Sequence, residues 1–166
     1  MTRDLAQTIA TFYKFAEFPD YREWKNKLEK WGGELNILGT LILATEGINA
    51  TISGPRNGIE KFLEHIREDN RFADLSPRTA ESTRSTFYRL RIITRPEIVT
   101  LGDPSINPNK TVGKYVNPEE WNALIRDPDV RVIDTRNEYE VKIGTFKGAE
   151  NPHFDNFRQW PAFVEK

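Results

Sequence analysis

Residues Ile42–Gly54, ILATEGINATISG, carry the clearest alternation in the sequence. An apolar run beginning at Asn36 reaches Thr45 and reads as a strand. A short Glu-Gly turn follows, and the next strand alternates. Ile48, Ala50 and Ile52 point to one side, and Asn49, Thr51 and Ser53 point to the other. One side of this strand belongs to a core, and the other carries small polar groups.

Upstream, Thr8–Phe15 alternates as an earlier strand. FPDYREWKNKLEKWGG (18–33) follows it as a helix. Asp20 and Glu23 have the spacing of a capping box, and Gly32-Gly33 can end the helix. Tyr21, Trp24, Leu28 and Trp31 form one stripe, as expected of a helix packed on a sheet. Gly58–Arg67 is a second helix with Ile59, Phe62, Leu63 and Ile66 inward and His65 outward. A fourth strand lies within TFYRLRIITR (86–95). The order βαββαβ predicts an α+β ferredoxin-like domain over residues 1–100, with both helices on one face of the sheet. Nothing in this domain covers the other face.

LGDPSINPNKTVGKYVNP, rich in Pro, Gly and Asn, reads as a linker over 101–116. Residues 117–166 then change pattern. Asn117, Pro118 and Glu120 supply a cap, a first-turn proline and a capping-box acid for a helix. Val130–Ile133 has the character of a buried strand, and Asn137–Val141 that of a short capped helix. Phe157, Trp160 and Phe163 share helical spacing near Pro161.

Composition narrows the classes. Of the 166 residues, 37% are hydrophobic and 30% charged, an ordinary balance for a globular protein. The absence of cysteine excludes disulfides, thiolate metal sites and a sulfur nucleophile within these residues. No His-based zinc pattern or phosphate-loop glycine motif occurs, and no apolar run has membrane-spanning length. A net charge of −1 means that any nucleic-acid surface is local.

Two distant stretches and the linker together carry a resemblance. ILATEGINATISG is followed by EIVTLGDP (97–104), then by GKYVNPEEWNALIRDPDVRVIDTRNEYEVKIGTFKGAENP (113–152) and FRQWPAFVEK (157–166). This order resembles the bacterial rhodanese-domain tRNA uridine hydroxylases, which place a ferredoxin-like domain before a single rhodanese domain. The resemblance implies a cytoplasmic protein whose full-length form hydroxylates the wobble uridine of certain tRNAs at C5. Molecular oxygen would be co-substrate, and no other cofactor can be inferred. It also implies that residues 117–166 are the first part of an α/β rhodanese domain. The family's catalytic cysteine would then lie beyond Lys166, and these residues alone would be inactive. A rhodanese-type sulfurtransferase uses the same fold and cysteine. If the chain naturally ends at Lys166, a non-catalytic RNA- or protein-binding module is the alternative. An incomplete C-terminal part would also leave apolar residues that a second copy could cover.

Two sets of residues are candidates for function. Asp134 ends the Val130–Ile133 run and Arg136 follows it, where parallel α/β sheets build their sites. The pair would either brace a catalytic loop or form a structural ion pair and turn. Arg89 and Arg91 alternate with Leu90 and Ile92, in a stretch that also holds Arg84 and Arg95 and no acid. With Asn49 and Thr51 they would occupy the helix-free face, where arginine suits phosphates and unpaired bases. An ordinary solvated face, or one covered by the second domain, carries equal weight.

Overall fold

The structure is a computed structural model describing residues 7–84, 86–99, 101–103, 106, 108–110 and 113–165. The chain divides into two compact units. One takes in the described residues up to Val99 and the other those from Lys110 onward, with parts of the intervening segment assigned to each.

The first unit is a five-stranded sheet in the order β4-β1-β3-β2-β5. Its strands are β1 (Gln7–Phe15), β2 (Leu38–Ala44), β3 (Gly47–Gly54), β4 (Arg78–Ser82) and β5 (Leu90–Thr94). Helix α1 (Tyr21–Glu34) connects β1 to β2, and α2 (Arg56–Arg67) follows β3. The central strand β3 pairs antiparallel with β1 on one side and β2 on the other. Ala10 lies opposite Ile52, and Phe12 and Leu41 flank Ala50. These residues are buried together with Tyr21, Trp24 and Leu28 of α1 and Ile59, Phe62 and Ile66 of α2. Each fully buried side chain of this size contributes roughly 1.5–3 kcal/mol.

The βαββαβ order holds, but its closing strand is not the expected one. Arg78–Ser82 closes it, antiparallel to β1 at one edge. The strand expected within residues 86–95 is a fifth, parallel to β2 at the opposite edge. RTAES escapes a pattern search because all but one of its residues are exposed and the last is half-buried. Charge on an edge strand discourages pairing with another chain.

Two further details differ from expectation. Gly32-Gly33 does not end α1, which runs on to Glu34; the turn comes at Asn36, with φ 56°. Gly32 is instead a packing position, because a Cβ there would stand 2.3 Å from Leu90 Cδ2. Its bareness seats β5 against α1. Asp20 does not cap α1 with its side chain either. Its carboxylate accepts hydrogen bonds from Arg71, one from Nη1 and one from Nη2 at 3.0 Å. Asp69 accepts from the same guanidinium at Nε (2.8 Å) and Nη2 (2.7 Å). The guanidinium carbon lies 4.9 Å from the Phe18 ring centre and 5.8 Å from that of Phe72. Arg71 thus ties the start of α1 to the 3-10 turn Asn70–Phe72, which precedes β4. These bonds hold the Asp20 carboxyl down at about 2.

In the second unit, α3 (Pro118–Leu124) starts with the expected capping box: Asn117 Oδ1 accepts from Glu120 N at 2.8 Å, and Glu120 Oε2 accepts from Asn117 N at 3.0 Å. Helices α4 (Glu138–Ile143) and α5 (Trp160–Val164) follow. The strand expected at Val130–Ile133 reduces to one parallel bridge between Ile133 and Glu150. A parallel strand needs a continuous partner, and the described residues supply only that contact. Phe154, packed edge-on to Trp160 and Phe163, is the one buried hydrophobic residue described in this unit. Ile143 and Phe146 are 86% and 55% exposed.

Gly39 sits at φ +125°, and a Cβ there would approach Thr51 O to 2.3 Å. Gly39→Ala is therefore expected to lower stability by roughly 2 kcal/mol or more, read as a lower urea midpoint at unchanged m-value. The Asp20–Arg71 bond sets an acid response. Because folding lowers the Asp20 pKa, its contribution is complete above the ordinary carboxylate range and fades as pH falls toward about 2. Arg71→Met should remove that part of the acid dependence, and equal pH slopes for the two proteins between pH 5 and about 2 would exclude it.

Candidate nucleic-acid interface

Both helices lie on the face that carries Ala50 and Ile52, so the opposite face of β3 presents Asn49, Thr51 and Ser53. The β2–β5 ladder brings the basic run to this face. Thr40 pairs with Arg91 and Ile42 with Ile93, while Ile92 is buried on the helix side. Arg89 lies one residue before β5, where its carbonyl accepts from Gly39 N at 3.0 Å. Arg95 continues the ladder at the other end, donating from its N to Leu43 O at 2.9 Å. Arg89, Arg91 and Arg95 share the parity of the helix-free face, and all three are exposed. None of them forms an ion pair with a described residue.

Of the four residues expected to share this face, Thr51 and Arg91 are brought into one transverse row, separated by Thr40 of β2. The Thr51 hydroxyl lies 3.2 Å from that of Thr11. Arg89 stands at the end of the same edge. Asn49 is on the face but its amide is committed: Nδ2 donates to Ile98 O at 3.2 Å. The Ile98 N–H in turn donates to a Glu46 carboxylate oxygen at 2.6 Å. Ile98 is buried, so the segment after β5 straps this end of the face. The sequence pattern gave no hint of the strap, since its anchors are backbone groups of one apolar residue. At the other end Ser53 is fully buried, flanked in the sheet by Ile9 and Leu38. The open, polar part of the face is the middle.

The second candidate pair is locked together. Asp134 accepts from Arg136 Nε at 2.9 Å, Arg136 Nη2 at 2.6 Å and Thr145 Oγ1 at 2.7 Å. Arg136 Nη2 also donates to Gly144 O at 2.6 Å. The guanidinium, with help from Thr145, holds the Asp134 carboxyl well below the usual carboxylate range. An acid so stabilised is a poor general base. The pair clips the Asp134–Arg136 turn to the end of α4, and it lines a cavity of about 520 Å³ with Trp121, Thr145 and Phe146. Glu140 accepts from Asn137 N at 3.3 Å, and Glu138 from Asn151 Nδ2 at 2.9 Å, so both acids of α4 serve as local braces. Among the described residues no cluster of His and carboxylates could hold a metal ion.

Residues 7–98 match the family model described as the UPF0176 acylphosphatase like domain, more than half of the 166 residues. The chain belongs to the UPF0176 family. Curated relatives of this UPF0176 chain include a protein of Picosynechococcus sp. named tRNA uridine(34) hydroxylase, 47% identical over 156 residues. That match covers 94% of this chain and 52% of the relative. A protein of the same name from Albidiferax ferrireducens is 50% identical over 155 residues, covering 93% of this chain and 49% of the relative. The UPF0176 chain therefore spans about half the length of the curated relatives it matches. Among solved structures, an acylphosphatase from Bacillus subtilis is similar over 53% of this chain and 98% of its own, with 14% identity and a TM-score of 0.41.

Asp134→Asn separates bracing from substrate contact. The loss of charge should speed amide exchange across Gly144–Ala149 severalfold and leave RNA affinity unchanged. Lost RNA affinity with unaltered exchange would make Asp134 a contact residue.

Proposed function

We propose that the full-length protein hydroxylates the wobble uridine of tRNA with molecular oxygen, and that the first unit of this chain helps to hold the tRNA. The observation that carries this reading is the 47% and 50% identity, over more than nine-tenths of the chain, to proteins named tRNA uridine(34) hydroxylase. The arginine edge of β5 supports the binding role. Exposed guanidinium groups without a carboxylate partner among the described residues attract phosphates, and the gain comes from released counterions rather than from net protein charge. The family this chain resembles works through a cysteine that the chain lacks, so this reading assigns the oxidative chemistry to residues outside it, and Asp134 and Arg136 to bracing the second unit. The reading implies a cytoplasmic protein, where its tRNA substrate resides. No described helix is long and apolar enough to cross a membrane.

The test uses full-length protein carrying Arg91→Glu or, as a control, Arg126→Glu, with folding checked by circular dichroism. Arg126 is exposed beyond the end of α3. Charge reversal at Arg91 should weaken tRNA affinity on the order of tenfold at moderate salt, raising KM with little change in kcat. The Arg126 variant should match wild type. Equal binding by both folded variants would remove the β5 edge from the tRNA site. Mass spectrometry of the product tRNA tests the reaction: one added oxygen at the wobble uridine supports hydroxylation. Thiocyanate from thiosulfate and cyanide, without that oxygen, would instead make the protein a sulfurtransferase.

A further inference from the structure

The strand register assembles a row across the helix-free face that no single segment of sequence displays. Arg78 of β4 pairs with Thr11 of β1, Thr11 with Thr51 of β3, Thr51 with Thr40 of β2, and Thr40 with Arg91 of β5. Residues directly opposite in neighbouring strands share a face. Three hydroxyls therefore run between two arginines, perpendicular to the strands, and no acid stands in the row. Arg78, Thr11 and Arg91 are exposed, and Thr51 and Thr40 are half-buried. With strands about 4.8 Å apart, the two arginine backbones are roughly 19 Å apart. Tyr13, two residues beyond Thr11 on the same face, leaves 52% of its surface exposed beside the row.

We infer that this row is a path for single-stranded RNA, which crosses the sheet with its backbone over Arg78, Thr11, Thr51, Thr40 and Arg91 and one base on the Tyr13 ring. The inference rests on the tRNA-binding role proposed above and specifies which part of such a substrate the face takes. Threonine hydroxyls donate to phosphate and ribose oxygens without regard to sequence, and the terminal guanidinium groups neutralise phosphates. An aromatic face takes an unstacked base, which a loop offers and a duplex does not. An acidic peptide would satisfy the arginines but would leave the hydroxyl row and the ring without matched partners. The strap at Ile98 takes the Asn49 amide, opposite which Tyr13 on β1 stays exposed, and Ile9 and Leu38 make the Ser53 end apolar. The middle row is the polar crossing that remains.

The experiment measures binding of the full chain to an unstructured RNA oligonucleotide of about 12 nucleotides and to a duplex of equal length, over a range of salt. Wild type should prefer the single strand. Arg78→Ala should reduce the magnitude of the log–log salt slope by about 0.7, as expected for one lost contact to a single strand. Tyr13→Leu should weaken binding by about fivefold or more, and Tyr13→Phe, which keeps the ring, should restore it. Thr40→Val and Thr51→Val keep shape and strand preference, so weakened binding by these folded variants would trace to the hydroxyls. An unchanged slope for Arg78→Ala, or equal binding of duplex and single strand, overturns the path. If Arg91→Glu still weakens tRNA binding while Arg78→Ala and Tyr13→Leu do not, the tRNA role stands and only the crossing fails.

Discussion

The first unit depends on the register of β3. This strand is paired on both sides, and Ile48, Ala50 and Ile52 must all meet the helices. Side chains alternate with a period of two, so a slip of one residue would turn every apolar group outward and bury Asn49 and Thr51. The same constraint that builds the core therefore fixes which polar groups reach the opposite face. Gly39 and Gly47 protect the register by letting neighbouring backbone approach: a Cβ at Gly47 would come within 2.0 Å of Lys14 O. Core and candidate binding surface are two consequences of one set of strand pairings.

Arginine serves two different ends in this chain. In the first unit, Arg71 is saturated by Asp20 and Asp69 and stacked against aromatic rings, while Arg89, Arg91 and Arg95 make no ion pair with a described residue. Arginine in the first setting organises local structure; in the second it is available to a partner. In the second unit two of the arginines are paired internally, Arg136 with Asp134 and Arg131 with Glu150, each at 2.6 Å. Such partly exposed pairs contribute little to stability individually, typically about 0–1 kcal/mol, but they fix the geometry of turns. A carboxylate next to an arginine two residues on is thus better understood here as a turn clip than as an acid–base pair.

Much of the first unit was legible because its core is periodic. The stripe Tyr21–Trp24–Leu28 and the alternation Ile48–Ala50–Ile52 each face the buried side, as their spacing requires. Arg91 and Thr51 were placed on one face by parity alone. Other features depend on partners far away in sequence. Asp20 has the right spacing for a cap, yet Arg71, fifty-one residues later, takes its carboxylate. Asn49 has the right parity for a free amide, yet the backbone of Ile98 occupies it. Arg78 was missed because β4 buries nothing and so leaves no hydrophobic signature. Val130–Ile133 has the composition of a buried strand, but composition does not supply a neighbour to pair with.

The parallel pairing of β2 with β5 has a consequence for the order of assembly. Helices α1 and α2 and the β2–β3 turn close over short loops, whereas β5 must return to a strand some fifty residues earlier and seat Leu90 over Gly32. Contacts between distant segments form slowly, because the loop must close before any contact rewards it. On the ribosome β5 is also the last strand of this unit to emerge. The basic edge is therefore completed after the hydrophobic core it decorates, and a nascent chain acquires the face proposed to bind RNA only when the domain beneath is nearly folded.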